Sequence, residues 1–136
     1  MATESELKGW IRKAKTTYSR YSNTVSKCNK EIARLKPVYK DLGQIKKDFR
    51  TVRKDLSSII GEKRLWCGEQ YNEFQQKGEV LDDACRQYYL LLDQAQDTVN
   101  TKIGELEAEK RRLVPLIGDL WGKMAQWETE LQNLGN

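Results

Sequence analysis

The sequence predicts an all-α fold, a long antiparallel helical hairpin of coiled-coil character, on three observations. Only two prolines occur in 136 residues, and the chain is rich in Lys, Glu, Gln, Leu and Arg, which sit well in helix interiors. Apolar side chains recur at alternating steps of four and three residues through both halves, the period of one helix face. Between the halves, Gly61-Glu-Lys-Arg-Leu-Trp-Cys-Gly68 is where the pattern lapses and two glycines fall close together, so this segment predicts the turn.

The first helix, about residues 5–60, carries the clearest seam. Leu7, Ile11, Ala14, Tyr18, Tyr21, Val25, Cys28, Ile32, Leu35, Tyr39 and Leu42 follow the heptad alternation without a miss. By hydrophobicity the next members are Ile45, Phe49, Val52, Leu56 and Ile59, and reaching Ile45 takes a step of three where four is due. Such a slip overwinds a coiled coil locally. It falls at Gly43, just after Pro37 has removed one backbone donor, which predicts a kink between 36 and 44.

The second helix, about residues 69–134, begins its seam at Phe74 and continues through Gly78, Leu81, Cys85, Tyr88, Leu92, Ala95 and Val99. After a second slip it resumes as Ile103, Leu106, Lys110, Leu113, Ile117, Leu120, Met124, Trp127, Leu131 and Leu134, with Pro115 off the seam and able to bend the helix. At 1.5 Å per residue the helices would be roughly 80 and 95 Å long. A short turn makes them antiparallel neighbours in a single hairpin domain over 1–136. Charge agrees: residues 1–65 hold 17 basic and 7 acidic side chains, and residues 66–136 hold 7 and 13. The two helices are therefore complementary along their flanks.

Composition narrows the function classes. Without histidine the chain lacks the commonest general base and metal ligand, and two helices provide no cleft, so we expect no enzyme and no cofactor. Asp82, Asp83 and Asp93 lack a third ligand at helical spacing on one face, so no metal is expected. Three cysteines without a CxxC spacing suggest neither a disulfide framework nor a zinc clip. No apolar run spans a bilayer and no signal peptide opens the chain, so the sequence predicts a cytoplasmic protein without membrane insertion. Lys46, Lys47, Arg50, Arg53 and Lys54 cluster within a few turns, but no groove-reading motif accompanies them. A solvated face beside an acidic helix is the better reading, and no nucleic acid is expected.

One seam between two helices leaves no true interior. Tyr18, Tyr21, Tyr88, Tyr89, Leu90 and Leu91 widen the apolar stripe beyond what a two-stranded seam needs, which is the pattern of a helix with more than one neighbour. That width predicts a partner, either a second copy in a four-helix dimer or a different helical protein.

Trp66-Cys67-Gly68 is a W-x-G in the turn, followed by Tyr71 and Phe74 at the start of the second helix. Glycine permits the chain reversal and tryptophan is large enough to cap the open end of the seam. The segment Leu65-Trp-Cys-Gly-Glu-Gln-Tyr-Asn-Glu-Phe74, flanked by helices, resembles the W-x-G proteins of bacterial type VII secretion. It is closest to the small helical proteins of Gram-positive bacteria that accompany LXG-domain toxins. The resemblance implies a chaperone or targeting factor that binds the helical region of an LXG-type toxin, with or without a second small helical partner, and helps present it to the secretion ATPase. It also implies that the protein either remains in the cytoplasm or is co-exported. Partner-binding candidates are Trp66, Gly68, Tyr71, Phe74, Tyr18, Tyr21, Tyr88 and Leu91. Tyr89-Leu-Leu-Leu-Asp93 has the spacing of the family's Tyr-x-x-x-Asp export signal, but lies within the helix rather than at the tail. The alternative reading is a homodimeric coiled-coil scaffold with no secretion cargo.

Overall fold

The computed structural model describes the backbone of residues 2–61 and 68–135, and the side chains of 2–58 and 72–135. Two α-helices make up nearly all of it: α1, Glu4–Gly61, and α2, Gly68–Gly135. Of the predicted turn, 61–68, Gly61 closes α1 and Gly68 opens α2, and residues 62–67 lie outside the described residues. At the start of α1, Thr3 is the cap. Its hydroxyl accepts from the Glu6 backbone N–H at 3.2 Å and its carbonyl accepts from Leu7 N–H at 3.0 Å, occupying donors that have no partner within the helix. Glu4 and Glu6 add negative charge to the first turn, where the helix dipole favours it.

Both prolines lie inside the helices. Pro37 removes one N–H from the ladder, and residues 36–44 are helical throughout. The helices pack as two units. Unit 1 joins Met1–Arg34 to Ile103–Asn136, and unit 2 is Leu35–Lys102.

In unit 1 the predicted seam is the core. Leu7, Ile11, Ala14, Cys28 and Ile32 of α1 are buried, as are Ile103, Leu106, Leu113 and Met124 of α2. Aromatic pairs set the chain direction: Trp10 meets Trp127 at 5.6 Å between ring centres, and Tyr18 meets Trp121 at 5.7 Å. Numbers rise along one helix as they fall along the other, so the helices are antiparallel. Full burial of aliphatic side chains such as Leu7 and Leu113 stabilises by roughly 1.5–3 kcal/mol each.

Unit 2 departs from the predicted seam. The heptad of α1 does not slip at Gly43. It continues from Leu42 to Lys46, Phe49, Arg53 and Leu56, each half-buried, while Ile45 and Val52 are exposed. Likewise α2 follows Gly78, Asp82, Cys85, Tyr89, Leu92, Gln96 and Val99 into Ile103 without a second slip, and Leu81, Tyr88 and Ala95 are exposed. Two opposite-charge pairs, Lys46 with Asp93 and Arg53 with Asp82, allow this. With Lys46 and Arg53 matched across the seam, one unbroken 3.5-residue period keeps the same face toward the partner helix, and no local overwinding is needed.

Candidate partner-binding surface

The polar seam of unit 2 is a hydrogen-bonded network. Lys46 Nζ donates to Asp93 Oδ1 at 2.5 Å and to Gln96 Oε1 at 3.0 Å, and Gln96 Nε2 donates to the Tyr39 carbonyl at 3.4 Å. Gly43 makes this approach feasible, because a Cβ there would stand 3.1 Å from Gln96 Nε2. One turn on, Arg50 donates to the Tyr89 hydroxyl, and both Lys46 and Arg50 lie over the Tyr89 ring, 5.2 and 5.3 Å from its centre. Arg53 then forks onto Asp82 through Nε at 2.9 Å and Nη2 at 3.4 Å, and Arg86 reaches the same carboxylate at 3.3 Å. The hydrogen bond from Arg53 holds the Asp82 carboxyl below its ordinary range, and the bond to Asp93 raises Lys46 above the ordinary lysine value against the opposing effect of desolvation.

Three members of the basic cluster on α1, Lys46, Arg50 and Arg53, thus turn toward α2 rather than forming a wholly solvated face. Lys47 and Lys54 remain exposed. Tyr89 and Asp93, the pair with export-signal spacing, are both taken up by this network.

Keeping the heptad unbroken displaces apolar side chains to one flank. On α1 these are Val38, Ile45 and Val52, spaced by seven and each immediately preceding a seam position; on α2 they are Leu81, Tyr88 and Ala95, in the same relation to their own seam. In an antiparallel pair these two rows border the same side, and the Phe49–Tyr88 ring contact at 4.9 Å joins the helices there. Leu91 extends the surface on α2. Ile45 is 43% exposed, Val52 58%, Tyr88 48% and Leu91 61%, so the rows that border this side of the pair form a strip that leaves apolar area open to solvent.

Of the candidates named from sequence, Tyr88 and Leu91 lie on this strip. Tyr18 and Tyr21 are half-buried in the seam of unit 1, where Tyr18 stacks against Trp121. Phe74 is half-buried on α2. Gly68 is the first residue of α2 and Tyr71 belongs to its first turn, while the Tyr71 side chain and all of Trp66 lie outside the described residues. Sequence reasoning assigned Ile45, Val52, Leu81 and Ala95 to the seam and so did not see them as surface. A signal for them was available: residues 38–58 form three successive heptads, VYKDLGQ, IKKDFRT and VRKDLSS, whose first, third and fourth positions repeat. A β-branched residue recurring every seven residues beside an already complete seam marks a second face.

Among the described residues no group of acidic or sulfur side chains is arranged to hold a metal ion. Cys28 is buried and Cys85 half-buried, both as free thiols. No helix among the described residues is long and apolar enough to cross a membrane. No protein-family model matches the chain, and neither a curated protein nor a solved structure is significantly similar to it.

Proposed function

We propose that this protein is a small helical binding protein of a bacterial type VII secretion system, one that binds the helical region of an LXG-type toxin and helps target it for export. The observation that carries the binding role is the apolar strip of unit 2, left uncovered although the helices are already paired through a complete seam. A hairpin of this kind presents two parallel apolar ridges about one helix width apart, a shape that receives a third helix. The toxin assignment rests on the resemblance carried by Trp66, Gly68, Tyr71 and Phe74. Delivery to the secretion ATPase belongs to the same reading.

The test is co-expression of the tagged chain with the helical amino-terminal region of an LXG toxin. A stable complex that is lost with Leu91→Glu supports the role. A protein that purifies as a homodimer with no affinity for the toxin region replaces it with the scaffold reading. Trp66→Ala and Gly68→Val examine the motif separately: loss of toxin export with folding and toxin binding intact assigns the motif to recognition by the secretion machinery. Normal export by folded Trp66→Ala protein removes that assignment.

A further inference from the structure

We infer that the apolar strip of unit 2 seats a helix whose apolar stripe is bordered by Lys or Arg at seven-residue spacing; this deepens the reading that the chain binds a helical partner and rests on it. The reason lies in what borders the strip. Asp41, Asp48 and Asp55 recur every seven residues on α1, all exposed, each four residues before a strip position or three after one. They line the outer edge of the Val38, Ile45 and Val52 row. None has a basic residue three or four positions away on its own helix, where an ion pair would form: those neighbours are Pro37, Val38, Gln44, Ile45, Thr51, Val52, Ser58 and Ile59. Among the described residues Asp48 accepts from a neutral amide, that of Gln44 at 2.9 Å. Lys40, Lys47 and Lys54 each precede an Asp by one residue, which turns them about 100° around the helix and away from the strip. An apolar ridge with an unmatched acidic edge fits a helix carrying cations on the corresponding flank.

A second copy of the chain fits less well. The equivalent face of another molecule offers the same acidic row from α1, or from α2 two rows that carry a cation only at one end each, Lys77 beyond Ala84, Leu91 and Thr98, and Lys102 beyond Leu81, Tyr88 and Ala95, so no orientation brings cations to all of Asp41, Asp48 and Asp55.

The probe is a synthetic peptide of about four heptads with Leu at both seam positions and Lys at both flanking positions, compared with the same peptide carrying Glu at the flanks. Like charges on the flanks keep each peptide from pairing with itself. Binding of each to the full chain is read by fluorescence anisotropy, with circular dichroism confirming that every variant stays folded. The Lys peptide should bind wild type at least about tenfold more tightly than the Glu peptide. The triple variant Asp41→Lys, Asp48→Lys, Asp55→Lys should reverse the preference, and Ile45→Glu should abolish binding of both peptides. Equal affinities, binding of neither peptide, or a preference that survives the triple substitution would each overturn the proposal. So would sedimentation showing a wild-type dimer that Ile45→Glu dissociates, because a second copy would then occupy the strip. The two readings separate: a toxin region that binds the triple variant as tightly as wild type keeps the toxin reading and removes the charge rule, whereas a toxin region that fails to bind wild type while the Lys peptide still binds removes the toxin reading alone.

Discussion

Lys46 and Asp93 meet at 2.5 Å at seam level in unit 2, with Lys46 standing where an unbroken heptad ordinarily places an aliphatic side chain. The Lys46 side chain is 17% exposed and that of Asp93 46%, so the pair lies at the edge of the seam, with its cation largely covered and its carboxylate partly wet. Such pairs add little net stability compared with an apolar replacement, but they disfavour other registers, because sliding one helix brings unmatched charges into the seam.

The first prediction concerns that role. Lys46→Glu should lower the melting temperature by placing two carboxylates together, and Asp93→Lys in the same chain should restore most of the loss. Lys46→Leu with Asp93→Leu should leave the melting temperature unchanged or raise it. Thermal melts of wild type, Lys46→Glu, Asp93→Lys and the double reversal, read as a double-mutant cycle, check the coupling. Additive effects of the two charge reversals would show that the contact does not couple the helices.

The second concerns pH. The Asp82 pKa is depressed in the folded protein, so its stabilising effect is present above the unfolded value near 3.8 and is lost as pH falls through the lower folded value. For Lys46 the folded pKa is raised, so its contribution is complete below the unfolded value near 10.5 and is lost as pH rises through the folded one. Melting temperature against pH should therefore be flat across the neutral range and fall at both extremes. Asp82→Asn, with Arg53 retained, should flatten the acid limb, and Lys46→Met the alkaline one.

Hydrophobic periodicity made the fold legible because the seam of unit 1 obeys it with one exception: its positions from Leu7 to Ile32, and from Ile103 to Leu131, are apolar apart from Lys110. Unit 2 departs from that periodicity for a physical reason. A pattern search scores Lys46, Arg53, Asp82 and Gln96 as surface, and their inward positions become favourable only when each finds its opposite on the other helix. The sequence of one helix does not disclose that pairing. The same error hid the candidate surface, since every apolar residue placed wrongly in the seam was one removed from the exposed strip.

The third prediction is at Gly43. Alanine there gains helix propensity of up to about 1 kcal/mol. Its Cβ, 3.1 Å from Gln96 Nε2, displaces only the end of a flexible side chain holding a long 3.4 Å bond to the Tyr39 carbonyl. Gly43→Ala should therefore stabilise by about 0.5 kcal/mol. Gly43→Leu, too large for a local adjustment of Gln96, should destabilise by about 1–3 kcal/mol. Urea unfolding of both variants decides the matter, and a destabilised Gly43→Ala would mean that the Gln96 bridge carries more than its length suggests.

The last prediction contrasts the two apolar environments. Leu113 is 1% exposed in the unit 1 seam, so Leu113→Ala removes buried methyl groups and leaves a space that the neighbouring side chains fill only in part. A loss of about 2–5 kcal/mol is expected, measured by urea unfolding. Val52 is 58% exposed on the unit 2 strip, and truncation there removes surface that is already largely wet. Alanine is also the better helix former, because valine loses side-chain freedom against the preceding turn. Val52→Ala should therefore change stability by less than about 0.5 kcal/mol in the isolated protein. The two substitutions should exchange importance in binding. Val52→Ala should weaken capture of the toxin region by removing area from the contact, whereas Leu113→Ala should act on binding only through the fraction of molecules folded. Measuring affinity well below the melting temperature of each variant separates the effects. A Val52→Ala protein that loses more than about 1 kcal/mol of stability on its own would show that the strip is already covered in the free protein.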